Sequence, residues 1–257
     1  MAIIGAILGD IIGSVYEFEE PEDSSSCELF PTGAEFTDDT VMTLAIKKAV
    51  IKGKDYDKMM RQLGNLYPDC GYGAHFMKWL HSDNPQPYKS CGNGSAMRVS
   101  YIGEHFETMD EVHRQARATA LPTHNHPEGI RGAVTEAICV WMAKGGASKQ
   151  EIYDYVLERY PAEKYPYAIS HSMEEFKDIY TWDPLCQGSI PFAMRCFYES
   201  EDFESFMRNV LSVNCDADTI GAIGGAVAWE FYHGSGFDEE AILKKYLDDT
   251  LLELVYA

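Results

Sequence analysis

Two distant stretches of the chain carry acidic residues next to hydroxyl residues. The first is Thr37-Asp38-Asp39-Thr40 and the second is Asp216-Ala217-Asp218-Thr219. Carboxylate and hydroxyl oxygens suit hard divalent ions such as Mg²⁺ or Mn²⁺ better than Zn²⁺. If the two stretches meet in space, their carboxylates need cations, so together they predict a metal site. The ordinary alternative is that both stretches only cap helices, since Thr37 is a good N-cap and acidic residues favour a first turn.

Two glycine-rich turns form a second set of candidates. One contains Gly71-Tyr72-Gly73, and the other runs from Ser90 to Met97 around Gly92-Asn93-Gly94. Turns of this kind can direct backbone N–H groups at phosphate oxygens without a basic surface. Each turn is also compatible with an ordinary helix entry.

A His-x-His pair, His124 and His126, lies in the segment that joins two predicted helices. A zinc site would need further histidine or cysteine ligands at suitable spacing, and the chain has no such motif. A capping or ligand-contacting role is therefore the better interpretation.

The elements that must position these residues are predicted to be helices throughout. Apolar residues recur at helical spacing after Thr37 and after Asp218, and no segment alternates like a strand. Residues 3–15 carry a broad apolar stripe, with glycines every four residues on another face. This pattern predicts a central helix that a neighbouring backbone approaches closely, with Asp10 as a buried carboxylate that needs partners. Further helices are predicted at 56–66, 111–119, 128–143, 149–160, 184–198, 203–213, 218–232 and 238–255.

Composition narrows the class of protein. The 257 residues have a net charge of −20, which argues against general nucleic-acid or anionic-membrane binding. The seven cysteines follow no zinc or disulfide spacing, so reduced thiols in the cytoplasm fit best. No linker divides the chain, and the apolar start is interrupted by acids and lacks a signal peptide's basic residues. One domain over residues 1–257 is expected.

Taken together, these motifs resemble the ADP-ribosylglycohydrolase family. The matching blocks are Gly5 to Glu17, Thr37 to Thr40, Gly71 to Gly73, Gly92 to Arg98 and Asp216 to Gly221, with Thr123-His124 as a sixth. The resemblance implies an all-α, compact, single-domain orthogonal helical bundle with two Mg²⁺ or Mn²⁺ ions. It implies an ADP-ribosylated protein or a small ADP-ribosyl compound as substrate. One departure is Cys91, where some eukaryotic members have tyrosine.

The resemblance also implies a role for each matching residue. The metal ligands implied are Thr37, Asp38, Asp39, Asp216, Asp218 and Thr219. The substrate-binding residues implied are Gly71, Tyr72, Gly73, Ser90, Gly92, Asn93, Gly94, Ser95 and His124. The catalytic candidates are Asp38 or Asp39, to deprotonate the attacking water, and Glu17, on a mobile flap, to assist proton transfer to the leaving atom.

The predicted reaction is hydrolysis of the glycosidic bond between ADP-ribose and an acceptor. Carboxylates stabilise the positive charge that builds on the sugar as the leaving group departs. One alternative is a metal-dependent phosphohydrolase acting on a nucleotide-like substrate, and another is a non-catalytic ADP-ribose-binding protein. The sequence makes no prediction about the linkage cleaved, the choice between Mg²⁺ and Mn²⁺, or the oligomeric state.

Overall fold

The fold is built from helices alone. The structure, a computed structural model, describes residues 1–257 and contains fourteen α-helices, one short 3₁₀ helix and no β-strand. In chain order the α-helices are α1 (Ala2–Gly13), α2 (Asp38–Lys52), α3 (Tyr56–Gly64), α4 (Ala74–Leu80), α5 (Ser100–His105), α6 (Met109–Ala120), α7 (Pro127–Lys144), α8 (Lys149–Arg159), α9 (Met173–Ile179), α10 (Cys186–Tyr198), α11 (Phe203–Val210), α12 (Ala217–Tyr232), α13 (Glu239–Tyr246) and α14 (Asp249–Tyr256). The 3₁₀ helix spans Asn93–Ser95. The all-α prediction is confirmed.

The packing of α1 against α12 organises the centre of the molecule. A β-carbon at Gly225 would lie 2.6 Å from the carbonyl oxygen of Gly5, and one at Gly221 would lie 2.5 Å from that of Gly9. Both distances are below any normal carbon–oxygen contact, so these positions accept only glycine without a shift of the helices. All twelve residues of α1 are buried, as expected for a helix enclosed on every side. The glycine stripe therefore fixes how closely Asp10, on α1, approaches the N-terminus of α12.

The hydrophobic core extends from this helix pair through the whole bundle. Sixty-seven buried residues form one continuous cluster that includes side chains from α1, α2, α7, α10 and α12. Burial of apolar surface on this scale is the main stabilising contribution to the fold. The site elements are thus mounted on a rigid, shared core.

One predicted helix is divided in the structure, and one helix of the structure was not predicted. The predicted helix at 238–255 is two helices, since Leu247 is extended and the Asp248 carboxylate caps a new helix by accepting a hydrogen bond from the amide of Leu251. Helix α9 was not predicted, although Ser172 and Glu175 form a reciprocal capping box that marks its start. The other predicted helices agree with the structure to within a few residues.

The structure also bears on the predictions about reduced cysteines and about membrane segments. All seven cysteines are unpaired, and four of them are buried. None of the helices combines the length and the continuous apolar character that crossing a bilayer requires.

Candidate active site

The two acidic stretches meet at the N-termini of α2 and α12. The Thr37 hydroxyl accepts a hydrogen bond from the amide of Asp39, and the Thr219 hydroxyl donates to the Asp39 carboxylate at 3.3 Å. Carboxylate oxygens of Asp10, Asp39 and Asp218 lie within 4.8 Å of one another, and those of Glu17, Asp216 and Asp218 do the same. We use the name acidic wall for the face formed by Glu17, Thr37, Asp38, Asp39, Asp216, Asp218 and Thr219.

Asp10 supports the acidic wall through hydrogen bonds with Thr37 and Thr40. Its carboxylate is fully buried and accepts hydrogen bonds from the amides of Thr37 and Thr40, at 2.9 and 3.0 Å, and from both threonine hydroxyls. These are the partners that a buried carboxylate requires. Asp10 therefore ties α1 to the first turn of α2, which links the metal-site candidates to the glycine stripe.

Burial and mutual repulsion raise the pKa values of the acidic residues in the metal-free protein. Burial is the largest cause for Asp39 and Asp218, whose pKa values lie well above the usual range, and neighbouring carboxylates add to the shift. Burial, followed by the charges on Asp218 and Asp10, raises the pKa of Glu17 to about 8. Burial also raises the pKa of Asp216 to about 6, against hydrogen bonds from Asp218 and Asn93 that lower it. Crowded carboxylates of this kind favour a bound cation.

One carboxylate oxygen of the acidic wall lacks a partner that a metal ion could supply. Oδ1 of Asp39 is buried and has no hydrogen-bond partner, while Oδ2 accepts from Thr219. An unpartnered buried carboxylate oxygen is costly, and a hard cation would supply the missing interaction. The all-oxygen set of aspartates and threonines therefore fits a divalent ion such as Mg²⁺ or Mn²⁺.

A second group of residues lines the cavity that the acidic wall borders. We use the name glycine–histidine wall for Ser90, Gly92, Asn93, Gly94 and His124, all of which line the cavity. The amide of Gly92 donates to Ser90 Oγ at 3.1 Å, and that of Asn93 donates to the Pro184 carbonyl at 2.8 Å. Two N–H groups of this turn are thus engaged within the protein. The Asn93 side chain donates to Asp216 Oδ2 at 2.7 Å, so it connects the two walls.

The cavity between the walls has a volume of about 640 Å³, which is within the range of small-molecule sites. All the predicted metal-ligand residues line it, as do Glu17, Gly71 and Gly73. Two predicted substrate residues do not. The Tyr72 ring stacks on Phe76, with ring centroids 5.4 Å apart, and the buried Ser95 hydroxyl donates to the Gly129 carbonyl.

Several lining residues were not identified from the sequence. They are Met42, Ala74, His75, Phe76, Tyr88, Lys89, Cys91, Met97, Arg98, Trp182, Pro184 and Leu185. Trp182 and Leu185 are brought to the cavity because the segment before α10 pairs with the glycine turn through Gly92 and Leu185. Helical periodicity contains no signal for such a loop-to-loop contact. Arg98 could have been identified from the sequence, because it is the last residue of the Gly92 to Arg98 block.

The histidine pair divides into two roles. Nδ1 of His126 accepts from the amide of Glu128 at 3.1 Å, so His126 caps α7. His124 lies in the cavity wall with Nδ1 against the Thr123 hydroxyl. The pair does not form a zinc site.

Comparison with known proteins identifies the family. The sequence profile of the ADP-ribosylglycohydrolase family matches residues 1–246, nearly the whole chain. The chain belongs to the ADP-ribosylglycohydrolase family. This confirms the resemblance that the acidic and glycine-rich motifs indicated.

Individual relatives cover most of this family domain at low identity. ADP-ribosylhydrolase ARH3 of Homo sapiens is 28% identical, with 90% of this chain and 84% of that protein aligned, and the Mus musculus protein is 26% identical over 90% and 82%. A solved structure described as an ADP-ribosylglycohydrolase-related protein complex superposes with a TM-score of 0.74. It shares 23% identity and covers 98% of this chain and 92% of its own. That likeness establishes the fold of the family.

Proposed function

We propose that this protein is a divalent-metal-dependent hydrolase that cleaves the bond between the anomeric carbon of ADP-ribose and an acceptor. The observation that carries the proposal is the meeting of Asp39 and Asp218, 179 positions apart in sequence, in a cavity that a glycine-rich turn also lines. Membership of the ADP-ribosylglycohydrolase family and the names of the ARH3 relatives support the same activity.

The metal would be held by Thr37, Asp38, Asp39, Asp216, Asp218 and Thr219, with two ions in the full centre. Bound Mg²⁺ or Mn²⁺ supplies Lewis acidity and offsets the charge of the clustered carboxylates. Asp10 is not assigned as a ligand, because both of its oxygens already accept hydrogen bonds from Thr37 and Thr40.

The protein's own groups account for the remaining steps of the hydrolysis. Water adds to the anomeric carbon, the bond from that carbon to the acceptor breaks, and the carboxylates stabilise the positive charge on the sugar. We assign Asp38 or Asp39 to accept the proton of the water. Glu17 is the member of the wall in the loop after α1, partly exposed beside Asp216 and Asp218, so we assign it to assist protonation of the departing atom. The products are ADP-ribose and the free acceptor.

The substrate class follows from the cavity and the relatives. An ADP-ribosylated protein or a small ADP-ribosyl compound would place its ribose at the acidic wall and its diphosphate at Gly71, Gly73 and the glycine–histidine wall. This orientation places the carboxylates next to the sugar, where the positive charge develops. The seven unpaired cysteines support a reducing compartment, and we include a cytoplasmic location in the proposal.

The test is product analysis on a panel of substrates. Arginine-, serine- and cysteine-linked ADP-ribose conjugates are incubated with the protein in Mg²⁺, Mn²⁺ or EDTA. We expect free ADP-ribose from at least one conjugate, only in the presence of metal. Full activity in EDTA would remove the metal from the mechanism. Release of AMP, with a phosphoribosyl group left on the acceptor, would identify a phosphohydrolase, and tight binding of ADP-ribose without any turnover would identify a binding protein.

A further inference from the structure

A chain of hydrogen bonds lies behind the glycine–histidine wall. Nη2 of Arg98 donates to the Thr119 carbonyl at 3.1 Å and to the Thr123 hydroxyl at 2.9 Å. The Thr123 hydroxyl in turn lies 2.7 Å from Nδ1 of His124. Arg98, Thr123 and His124 are only 1%, 0% and 5% exposed, so solvent does not compete for these contacts.

The direction of each hydrogen bond follows from the chemistry of its partners. A guanidinium group has only donors, so the Thr123 oxygen must accept from Arg98. The threonine proton then needs an acceptor of its own, and Nδ1 of His124 is the other polar atom that Thr123 Oγ1 contacts. A buried hydroxyl proton without an acceptor costs on the order of 1 to 3 kcal/mol. Thr123 therefore donates to Nδ1, which places the proton of the neutral ring on Nε2.

Nε2 of His124 faces the part of the cavity that the glycines leave open. β-Carbons at Gly92 and Gly94 would lie 3.6 and 3.4 Å from Nε2, so the missing side chains allow a ligand to approach this atom. His124 makes its side-chain hydrogen bond through Nδ1 alone. Burial, and then the positive charge on Arg98, lower the pKa of His124 well below its usual range, which is consistent with a neutral ring.

We propose that Arg98 and Thr123 are positioning residues that hold His124 as the tautomer presenting Nε2–H to a diphosphate oxygen of the bound ADP-ribosyl group. This inference rests on the proposed function. A diphosphate oxygen offers only lone pairs, so the Nε2–H tautomer attracts it, whereas the opposite tautomer would direct its own lone pair at the ligand. The hydrogen bonds of Arg98 and Thr123 thus fix His124 as a donor toward the cavity, although a histidine ring can act as donor or acceptor.

The first test reads the tautomer without any substrate. ¹⁵N-histidine NMR at neutral pH, with the His124 signals assigned by comparison with His124→Gln, should show Nε2 protonated and Nδ1 unprotonated. In Thr123→Val, which keeps the size of the side chain but removes the hydroxyl, we expect the Nδ1–H form to appear. Thr123→Ser should restore the wild-type pattern. Wild-type protein with Nδ1 protonated would overturn the inference, even if Thr123→Val fails to fold.

The second test measures the consequence for the ligand. Calorimetric titration with ADP-ribose should give a dissociation constant about tenfold higher for Thr123→Val, equivalent to about 1.4 kcal/mol. The matched control is Thr119→Val, which removes another fully buried threonine hydroxyl, one that donates to the Ala116 carbonyl, but keeps the Thr119 backbone carbonyl that accepts from Arg98. It should leave the tautomer and the affinity unchanged.

The outcomes separate this inference from the proposed function. Unaltered ADP-ribose affinity in a folded Thr123→Val protein would refute the positioning role and leave the hydrolase proposal standing. A wild-type protein that binds no ADP-ribose would refute the hydrolase proposal and, with it, the assignment of the diphosphate. An equal loss of affinity in Thr119→Val would reduce the effect to general packing and would also refute the positioning role.

Discussion

The acidic wall and the glycine–histidine wall satisfy their polar groups in different ways. On the acidic wall, carboxylates from α2, α12 and the loop after α1 crowd together, and Oδ1 of Asp39 has no partner. Behind the glycine–histidine wall, Arg98 donates to the Thr123 hydroxyl, which contacts Nδ1 of His124. In our proposal a cation supplies the interactions that the first surface lacks, whereas the second surface is already held by hydrogen bonds within the protein. The same cavity is thus lined by crowded carboxylates and by a preorganised hydrogen-bonding surface.

The largest expected effect concerns the carboxylates themselves. Asp218→Asn should lower the rate of ADP-ribose release by more than about 100-fold, since even residues that only support metal ligands cost 10- to 100-fold. The matched control is Asp202→Asn, at the N-cap of α11, where Asn caps about as well as Asp. Steady-state assays in millimolar Mg²⁺ measure both. Equal activities in the two variants would mean that the carboxylates of the acidic wall only cap helices.

The next effect concerns the support behind the acidic wall. Gly9→Ala places a methyl group against the backbone of Gly221, which cannot rotate away, so we expect a loss of about 3 kcal/mol or more in unfolding free energy. Gly73→Ala meets no atom within 4 Å and should cost less than about 1 kcal/mol. Urea denaturation measures both values. Similar small losses would mean that α1 and α12 can separate, and that the glycine stripe does not set the position of Asp10.

Stability in the presence of metal distinguishes the two walls thermodynamically. An ion that binds only the native state at 100 times its dissociation constant adds about 2.7 kcal/mol. Thermal melts should therefore show a rise in Tm with Mg²⁺ for the wild type. Asp216→Asn removes a ligand and part of the repulsion, so it should match or exceed wild-type stability in EDTA and gain much less from Mg²⁺. Thr123→Val should keep the full Mg²⁺ gain, and an unchanged gain in Asp216→Asn would contradict the metal site.

A smaller effect is expected at the face of the glycine–histidine wall. Gly94→Val would fill the space in front of the His124 ring and should weaken ADP-ribose binding about tenfold, or about 1.4 kcal/mol. Gly94→Ala is the graded control, because its single methyl group would lie 3.4 Å from Nε2 and need only a slight shift. Calorimetry with ADP-ribose gives both constants. Wild-type affinity in folded Gly94→Val would show that the ligand does not bind at this turn.

The last expected effect is a pH dependence of the metal-free protein. Carboxyl groups whose pKa rises on folding bind more protons in the native state, so stability falls as pH rises through that window. Asp10 and Asp216, with pKa values of about 6, and Glu17, at about 8, place the window between roughly pH 4 and 8. In EDTA, Tm should decrease from pH 5 to 8, and less so in Asp216→Asn. Saturating Mg²⁺ should weaken or reverse the trend, because the ions bind the deprotonated carboxylates.

The sequence predicted the members of both walls better than the contacts behind the glycine–histidine wall, for a physical reason. The ligand candidates of the acidic wall stand in two short runs at helix starts, and capping rules apply to residues that are neighbours in the chain. The close approach of α1 to another helix was likewise readable from Gly5, Gly9 and Gly13. The contact of Arg98 with Thr123, 25 residues away, depends on the path of a turn, and local periodicity does not encode that path. Trp182 reaches the cavity through a similar loop contact.

The backbone contact between α1 and α12 also has a consequence for the order of assembly. Helix α1 is synthesised well before α12, yet its glycine face is covered only by residues 217–232, more than 200 positions later. Closing so long a loop carries a large entropic cost, and contacts of this range slow folding. Until α12 has been synthesised, the apolar first helix lacks its main partner and remains a candidate for chaperone binding or aggregation. Asp10 and Asp218 are brought together by the same late event, so the proposed catalytic centre forms only when these two distant segments meet.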